Sequence, residues 1–371
     1  MSTVPLNPPD ATADFQWLQH VVAPYVEIYD ITAGAMGGRA FRVRGRLRVP
    51  SAVLYAQLAP ILRAQGYTLL LRREKDEPVL LVLQGVIRPT PNNRWLPPLL
   101  LVLTVISMLF TYTILYATPE LTWTSILRNL SRGWEFTLSL LAILLAHELG
   151  HYFTAKHFGV AVTLPYLIPF PLNPFGTMGA VIRMKDLPPN KRAMLLTGAA
   201  GPLAGLVVAL PILIWGLRLS PVTPLPPEGG YSLEGNSILY AAIKYLLFGR
   251  LLPSGGEDVL LHPIAYAGWA GLLVTSLNLF PAGQLDGGHV AYALLGDRAR
   301  YLTWGVIVIT LVLGFWWPGW FLWSALAFIF SRREARPLDD VSPLTRREVG
   351  LAVLLLVIFV LIFTPLPLRF V

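Results

Sequence analysis

The alternation of apolar and polar residues predicts a small mixed domain at the start of the chain, before any long apolar segment. Regular patterns occur over residues 14–23, 39–48, 51–65, 67–73 and 79–86. The first and third have helical spacing, and the other three have the spacing or the short apolar runs of strands. We therefore expect a soluble α+β domain over residues 1–90. No basic segment leads into a short apolar one, so we expect no cleavable signal peptide.

Long apolar segments dominate the chain from residue 96 onward. A helix needs roughly 20 apolar residues to cross the hydrocarbon core of a bilayer. Candidate spans cover residues 96–117, 134–158, 193–217, 263–280, 301–317, 320–330 and 349–365. The sixth is short, and Trp317-Pro318-Gly319-Trp320 before it favours a tight hairpin or an incomplete span. We predict a polytopic α-helical membrane protein with six or seven spans, preceded by a proline-rich linker at residues 88–98.

Composition agrees with a membrane protein and restricts its chemistry. The 371 residues are 54% hydrophobic and 13% charged, and none is cysteine. Disulfides and thiolate ligands are therefore excluded, so a metal site must use histidine and carboxylate ligands. The formal charge of +8 reflects basic residues beside apolar segments, where they set topology rather than bind nucleic acid. Their distribution places the N-terminal domain on the cytosolic side, with Lys244 and Arg250 on the outer side.

A metal-binding pattern, His147-Glu148-Leu149-Gly150-His151, lies inside the second apolar segment. Two histidines four residues apart share one face of a helix and can hold a metal, and Glu148 can reach a metal-bound water as general base. Buried histidines also occur as structural hydrogen-bonding residues. Two histidines and a glutamate are costly inside a membrane span without a function, however, which favours a metal site near the cytosolic end of that helix.

A catalytic zinc site usually has three protein ligands, and two residues are candidates for the third. His157 has the spacing of the H-E-x-x-H-x-x-G-x-x-H signature, but Thr154 stands where that signature needs glycine. On a continuing helix, His157 would face away from His151. Asp286 is the better candidate, because the glycines and proline around it break regular helix after the fourth apolar segment. Its alternative role is the N-cap of a helix over residues 287–295.

Two spaced motifs resemble those of the site-2 protease family of intramembrane zinc metalloproteases. The family has H-E-x-x-H on one span and N-x-x-P-x-x-x-L-D-G on a later one. The matching residues here are His147, Glu148, His151, Asn278, Pro281, Leu285, Asp286 and Gly287. The resemblance implies that His147, His151 and Asp286 bind one zinc ion within a three-helix catalytic core. It also implies that Glu148 is the catalytic base and that Asn278 belongs to the active-site environment.

The resemblance covers residues 134–296, which form the expected catalytic core. The rest of the chain is divided into segments before and after this core. Residues 91–133 then contain the linker and the first span, and residues 297–371 contain the C-terminal spans. The segments 234–240 and 283–288 further resemble the cyanobacterial and plastid subgroup that includes the ethylene-dependent gravitropism-deficient proteins. Because no serine-rich, acid-poor transit region precedes the fold, we expect a multi-pass protein of a bacterial cell membrane.

Two further segments and one helix face allow alternative interpretations. Residues 160–184, rich in proline and glycine, either offer an extended piece that pairs with an unwound substrate or simply connect two helices. Residues 236–252 are amphipathic, which predicts a helix at the outer interface or at substrate entry. Gly198, Gly201 and Gly205 narrow one helix face, a pattern that indicates helix packing more often than catalysis.

These residues together predict an intramembrane zinc metalloprotease that cleaves peptide bonds in or near transmembrane segments, in regulated proteolysis. Its expected partners are a transmembrane protein substrate, the lipid bilayer and an unknown protein for the N-terminal domain, with no nucleic acid. The same ligands also accept other divalent ions. The alternative is a noncatalytic membrane protein for metal binding, transport or sensing, or an adaptor. Polar groups concentrated at one site favour the protease, because transport needs a polar path through several spans.

Overall fold

A computed structural model of the chain describes residues 11–35, 40–75, 77–86, 93–118, 121–226, 230–331 and 336–370. Its contacts divide the chain into two compact units. The first contains Met1–Thr90, Asp186–Ala193 and Arg336–Leu344, and the second contains Pro91–Lys185, Met194–Ala335 and Thr345–Val371. The first unit therefore combines the N-terminal residues with two segments from much later in the chain. Much of the predicted proline-rich linker lies outside the described residues.

The first unit is an α+β structure with a four-stranded antiparallel sheet. Its elements are α1 (Ala11–Val22), β1 (Val26–Gly34), β2 (Ala40–Leu47), α2 (Ser51–Ala64), β3 (Tyr67–Glu74) and β4 (Glu77–Gln84). The strand order is β1-β2-β4-β3. The two predicted helices and three predicted strands are confirmed to within a few residues. Strand β1 escaped prediction because most of its side chains are partly or fully exposed, so the apolar alternation is weak.

The core of the first unit lies between the helices and one face of the sheet. Leu54, Leu58 and Leu62 recur every four residues along α2 and are completely buried, as a single helix face requires. Alternate residues of the strands meet them, because successive side chains of a strand point to opposite faces. The other members of this buried cluster are Leu18, Val22, Val26, Val43, Tyr67, Leu69, Leu71, Leu80, Val82 and Val341.

The two later segments of the first unit are joined to it by backbone hydrogen bonds. The Leu71 N–H donates to the Leu338 carbonyl at 2.9 Å, and Leu71 pairs with Asp339 in a parallel bridge beside β3. Nη1 of Arg72 also donates to the Leu338 carbonyl, at 3.0 Å. The Leu338 N–H donates to the Pro188 carbonyl at 2.8 Å. Both segments are thus anchored beside the edge strand of the sheet.

Helices form most of the second unit, and the first residues of one of them belong to the first unit. They are α3 (Leu96–Tyr112), α4 (Trp123–Asn129), α5 (Trp134–His157), α6 (Lys191–Arg218), α7 (Ile238–Phe248), α8 (Pro263–Asn278), α9 (Asp286–Leu295), α10 (Ala299–Leu313), α11 (Gly319–Ser331) and α12 (Arg346–Ile362). A π-helical turn, Thr113–Ala117, continues α3. Every predicted span contains a helix.

Three two-stranded antiparallel sheets connect these helices. Strand β5 (Tyr166–Pro169) pairs with β6 (Thr177–Val181), so residues 160–184 contain a strand pair rather than a plain connector. Strand β7 (Val222–Pro224) pairs with β9 (Glu257–Val259), and β8 (Ser232–Glu234) pairs with β10 (Leu368–Phe370). The last two pairs bring distant parts of the chain together around α7.

Three helical segments are long and apolar enough to cross a membrane: Leu96–Ala117, Trp123–His157 and Lys191–Arg218. The helices at the other predicted spans are shorter, with 16 residues in α8, 15 in α10, 13 in α11 and 17 in α12. The short connection between α10 and α11 agrees with the predicted hairpin, since Ser324 on α11 donates to the Ile307 carbonyl on α10 at 3.1 Å. The structure supports a membrane protein, and six or seven spans stays a prediction.

The amphipathic segment at residues 236–252 does form a helix, α7, but Lys244 on it does not face water. Its side chain is completely buried and lies within ion-pair distance of Glu234 and Asp258. Lys244, one of the polar residues that make the segment amphipathic, therefore does not contribute to a solvent-facing side, and the location of the helix at the outer interface or at substrate entry stays a prediction. Carboxylates on β8 and β9 enclose the ammonium group, and the spacing along α7 gives no sign of them.

Candidate metal and active site

Three side chains from two helices converge in the second unit. His147 and His151 lie one turn apart on α5 and are 3% and 5% exposed, and Asp286 is the first residue of α9. The Nε2 atoms of the two histidines are 3.1 Å apart, and Asp286 Oδ2 lies 3.2 Å from that of His147 and 3.1 Å from that of His151. Within the described part of the chain, this is the one group of three such residues that could hold a metal ion.

The dimensions of this triangle fit a zinc ion. Bonds of roughly 2.0–2.2 Å in a tetrahedral site place neighbouring ligand atoms about 3.3–3.5 Å apart. The observed separations of 3.1 and 3.2 Å are slightly shorter than that edge. Two imidazoles and one carboxylate are also a donor set that catalytic zinc uses, with a fourth position left for water or substrate.

Asp286 reaches the histidines because the chain leaves regular helix between α8 and α9. Gly283 has a φ of 55°, a conformation that favours glycine. A Cβ on Gly287 would lie 1.9 Å from the carbonyl oxygen of Leu279, so only glycine fits there. The N-cap of α9 is Leu285. The alternative prediction that Asp286 is the N-cap is therefore wrong, and its carboxylate is directed at the histidines instead.

A backbone carbonyl fixes the orientation of His151. Its Nδ1 lies 2.7 Å from the carbonyl oxygen of Thr197 on α6, and a carbonyl can only accept a hydrogen bond, so Nδ1 is the donor. The proton on Nδ1 leaves the lone pair of Nε2 free to bind a metal, an arrangement that is typical of metal-binding histidines. The sequence pattern gave no sign of Thr197, because any residue type supplies a carbonyl.

Two glycines of α6 leave room for the imidazole rings. A Cβ on Gly201 would lie 2.0 Å from His151 Nε2, and one on Gly205 would lie 3.3 Å from His147 Nδ1. A Cβ on Gly198 would instead meet His289, at 3.2 Å. The narrow helix face formed by these glycines predicts helix packing. The structure shows that it also shapes the space in which the proposed ligands lie.

Glu148 and Asn278 border the same triangle of atoms. Glu148 is 5% exposed, its Oε1 lies 4.0 Å from His147 Nε2, and the backbone of Ile182 forms a hydrogen bond with its carboxylate. Nδ2 of Asn278, at the end of α8, lies 3.2 Å from His147 Nε2. His157, the alternative third ligand, is instead an exposed residue at the end of α5. The helix continues through it, as the missing glycine predicted.

Comparison with known proteins agrees with this geometry. The model of the family Peptidase family M50 matches residues 135–314. "Probable zinc metalloprotease EGY2, chloroplastic" of Arabidopsis thaliana is 31% identical over 246 residues, which cover 66% of this chain and 44% of that protein. The protein of the same name in Oryza sativa subsp. indica is 28% identical over 311 residues, 81% of this chain and 56% of that protein. No solved structure matches the chain.

The matched relatives extend well beyond the region they share with this chain. "Probable zinc metalloprotease EGY1, chloroplastic" of Oryza sativa subsp. japonica is 31% identical over 246 residues, 62% of this chain and 40% of that protein. The chain thus spans about half the length of the curated relatives it matches. All three names say chloroplastic, so they do not support the expected bacterial membrane.

The family match includes both halves of the candidate site. His147, Glu148 and His151 lie near its start, and Asn278 and Asp286 lie in its later part. The expected resemblance is confirmed, and the names of the relatives, which are probable zinc metalloproteases, agree with the expected reaction and cofactor. Residues 135–314 of this chain are therefore similar to peptidase family M50, in agreement with the expected resemblance to the site-2 proteases.

Proposed function

We propose that this chain is an intramembrane zinc endopeptidase that cleaves membrane proteins in or near their transmembrane segments, in regulated proteolysis. One observation carries the proposal. Two histidines and an aspartate present three atoms at zinc-binding separations, and a buried carboxylate, Glu148, lies 4.0 Å from one of them. Metal binding alone needs no such carboxylate, and leaving one in a membrane helix without a role is costly.

In this proposal His147, His151 and Asp286 hold the zinc ion. When bound, zinc supplies Lewis-acid polarisation of the peptide carbonyl and lowers the pKa of a bound water to about 7. The carboxylate of Glu148 accepts the proton of the attacking water and later delivers it to the leaving amine. Asn278 directs its amide toward the same space, where an N–H donor stabilises negative charge that develops on the carbonyl oxygen.

Strand β6 provides a surface on which an unwound substrate can bind. A transmembrane helix hides its carbonyls in internal hydrogen bonds, so the substrate must unwind locally before cleavage. In the described residues β6 pairs with β5 along one edge only, and Ile182, directly after β6, is bonded to Glu148. We propose that the substrate adds to the free edge of β6 as a further strand, which would bring its carbonyls next to the catalytic base.

The distribution of basic residues supports a cytosolic N-terminal domain and six or seven spans in the bilayer. In this topology α5 enters from the outer side, and His147 and His151 lie closer to its cytosolic end. The lipid bilayer and a transmembrane protein are then the partners of the peptidase domain. The partner of the N-terminal domain is a separate protein whose chemistry the proposal leaves open.

The test is cleavage of a panel of single-span substrates by purified, zinc-loaded protein in lipid, with bound zinc measured in parallel. We expect Glu148→Gln to lower kcat by about 10²–10⁴-fold, as loss of a general base does, while zinc remains bound. Glu135→Gln is the matched control, because Glu135 lies in the first turn of the same helix. Cleavage by the Glu148→Gln variant at the wild-type rate would contradict the mechanism. No cleavage by folded, zinc-loaded wild type would favour a noncatalytic metal-binding protein.

A further inference from the structure

A cavity with a volume of about 480 Å³ lies toward the opposite end of α8 from the metal site. Tyr266, in the first turn of α8, lines this cavity, whereas Asn278, the last residue of α8, borders the metal site. A helix rise of 1.5 Å per residue separates these two positions by about 18 Å. Aromatic and acidic side chains dominate the polar part of the wall: Tyr112, Tyr116, Tyr231, Tyr266, Glu234 and Asp258.

The two carboxylates of this cavity share one buried cation. Lys244 is completely buried, and its Nζ lies 3.4 Å from Glu234 Oε1 and 3.6 Å from Asp258 Oδ1. Oδ1 of Asp258 also accepts a hydrogen bond from the Val259 N–H at 2.8 Å. Its Oδ2 is buried and has no hydrogen-bond partner among the described residues, although Asp258 is only 3% exposed. Within the described part of the chain, one of the two carboxylates therefore lacks a compensating positive charge, which is costly in a buried position.

The raised pKa of Glu234 agrees with the lack of a second positive charge. Burial raises the pKa of Glu234 above its ordinary value, the Lys244 ammonium lowers it, and the Asp258 carboxylate raises it again. The Tyr240 hydroxyl donates to Glu234 Oε1 at 2.9 Å. A positive group in the cavity would compensate the charge of the second carboxylate.

The tyrosines suit an organic cation better than a metal ion. Aromatic faces attract ammonium and guanidinium groups and also pack against their apolar stems. Tyr116 and Tyr266 pack edge to face at 5.5 Å between ring centroids, and their hydroxyl oxygens are 3.2 Å apart. A hard divalent cation needs about six oxygen ligands. No third acidic or histidine ligand joins Glu234 and Asp258 among the described residues.

We propose that this cavity binds an organic cation, namely a guanidinium or alkylammonium group carried on an apolar stem. Two sources share this chemistry: an arginine or lysine side chain that flanks the transmembrane segment of the substrate, and a free amine of similar size. The first source rests on the proposed protease function and makes the cavity a subsite for residues beside the cleaved segment. The second source does not depend on that function.

The test measures binding by the full, zinc-loaded chain in lipid nanodiscs, using isothermal titration. The probes are n-butylguanidinium and its neutral counterpart of similar shape, n-butylurea. We expect the cation to bind at least 10-fold more tightly than the urea, as a charge pair in a partly buried site gives. Asp258→Asn should remove that preference. Glu257→Gln is the matched control, because Glu257 is the neighbouring residue, pairs with Arg250 at 2.6 Å and does not line the cavity.

A second variant keeps the test decisive where Asp258→Asn fails to fold. Leu225→Trp places a larger side chain on the cavity wall and leaves both carboxylates in place, so it should also lose the cation. Equal affinity for the two probes in the wild type would overturn the proposal, as would full cation affinity in either folded variant. The titration needs no proteolysis, so its result stands whether or not the proposed function is correct.

A cleavage assay then distinguishes the two sources. If the ligand is a substrate side chain, n-butylguanidinium should raise KM for a substrate with a flanking arginine and leave KM unchanged for its arginine-to-glutamine counterpart. If the ligand is a free amine, both substrates should have the same KM with and without the probe, while the titration still shows selective binding. Either result supports an organic-cation site, and loss of cation selectivity in the titration contradicts both.

Discussion

Gly201 determines whether His151 can occupy its place beside the proposed metal. A Cβ there would lie 2.0 Å from His151 Nε2, and the hydrogen bond to Thr197 holds the ring against movement. We expect Gly201→Ala to displace the ring and weaken zinc binding by at least 10-fold, the scale of losses from misoriented ligands. Bound zinc measured after dialysis tests this. Gly305→Ala is the control, because a Cβ on that helical glycine meets nothing within 4 Å.

Full zinc content in Gly201→Ala would mean that His151 is not a ligand, or that α5 and α6 are further apart than in this structure. Zinc loss in Gly305→Ala as well would show that any helical glycine substitution disturbs the fold. The prediction is therefore supported if Gly201→Ala retains less zinc than Gly305→Ala while circular dichroism shows equal helix content in the two variants.

Asn278 offers a way to separate catalysis from metal binding. Its amide lies 3.2 Å from His147 Nε2, yet the three proposed ligand atoms need no help from it. We expect Asn278→Ala to retain zinc and to lower kcat by about 10²–10³-fold with little change in KM, as loss of a donor to a developing oxyanion does. Steady-state kinetics with parallel zinc analysis tests this, and loss of zinc would assign Asn278 to metal binding instead.

The sequence predicted this site because its chemistry follows local spacing. Two histidines four residues apart share a helix face wherever the helix lies, and glycines around Asp286 mark a break in regular helix. The carbonyl of Thr197 and the buried Asp258 lack any such signature. A carbonyl belongs to every residue, and the ion pair of Asp258 with Lys244 depends on the meeting of β9 and α7. Such contacts between distant elements follow from the tertiary structure alone.

At the scale of elements, the spacing of apolar residues predicted the positions of most helices. It did not predict which groups contact each side of a helix. The pattern around α7 predicted an amphipathic interfacial helix, and the helix is present, yet Lys244 is completely buried. The sequence pattern around a lysine is the same whether its side chain is exposed to water or buried against a carboxylate. Strand β1 was missed for a related reason, since an edge strand with exposed side chains has little apolar alternation.

The segment that runs beside β3 depends on one buried aspartate. Asp339 is 1% exposed, and its Oδ1 accepts hydrogen bonds from the backbone N–H groups of Val341 and Ser342 at 2.9 and 3.1 Å. Its Oδ2 accepts from the Ser342 hydroxyl. We expect Asp339→Ala to destabilise the first unit by about 1–3 kcal/mol, since a buried donor left unpaired costs that much.

Hydrogen exchange followed by mass spectrometry on the full chain tests this expectation. Faster exchange should appear in the peptide that contains residues 336–344 and in β3, whose Leu71 N–H is bonded to that segment. Glu77→Ala is the control, because Glu77 is an exposed residue of the same sheet. Unchanged protection in Asp339→Ala would show that the other contacts of the segment, including those with Arg72, Leu71 and Pro188, hold it without this carboxylate.

At the scale of the whole molecule, the first unit is not one continuous stretch of chain. Residues 186–193 and 336–344 complete it, and Val341 from the later segment lies in its hydrophobic core. The composition along the chain predicted the end of the N-terminal α+β region near residue 90, because the content of apolar residues rises after it. It gave no indication that two polar connections between helices return to the N-terminal residues, since pairing across hundreds of positions leaves no periodic signal.

The absence of cysteine makes the proposed topology directly measurable. A single introduced cysteine is the only thiol in the chain, so Tyr29→Cys and Leu251→Cys, at positions 64% and 62% exposed, report one location each. The excess of basic residues on the N-terminal side predicts that these positions lie on opposite sides of the membrane. In sealed right-side-out vesicles, a membrane-impermeant maleimide should label Leu251→Cys at once and Tyr29→Cys only after permeabilisation. Labelling of both before permeabilisation, or the reverse order, would contradict a cytosolic N-terminus and require the active site to open to the other side.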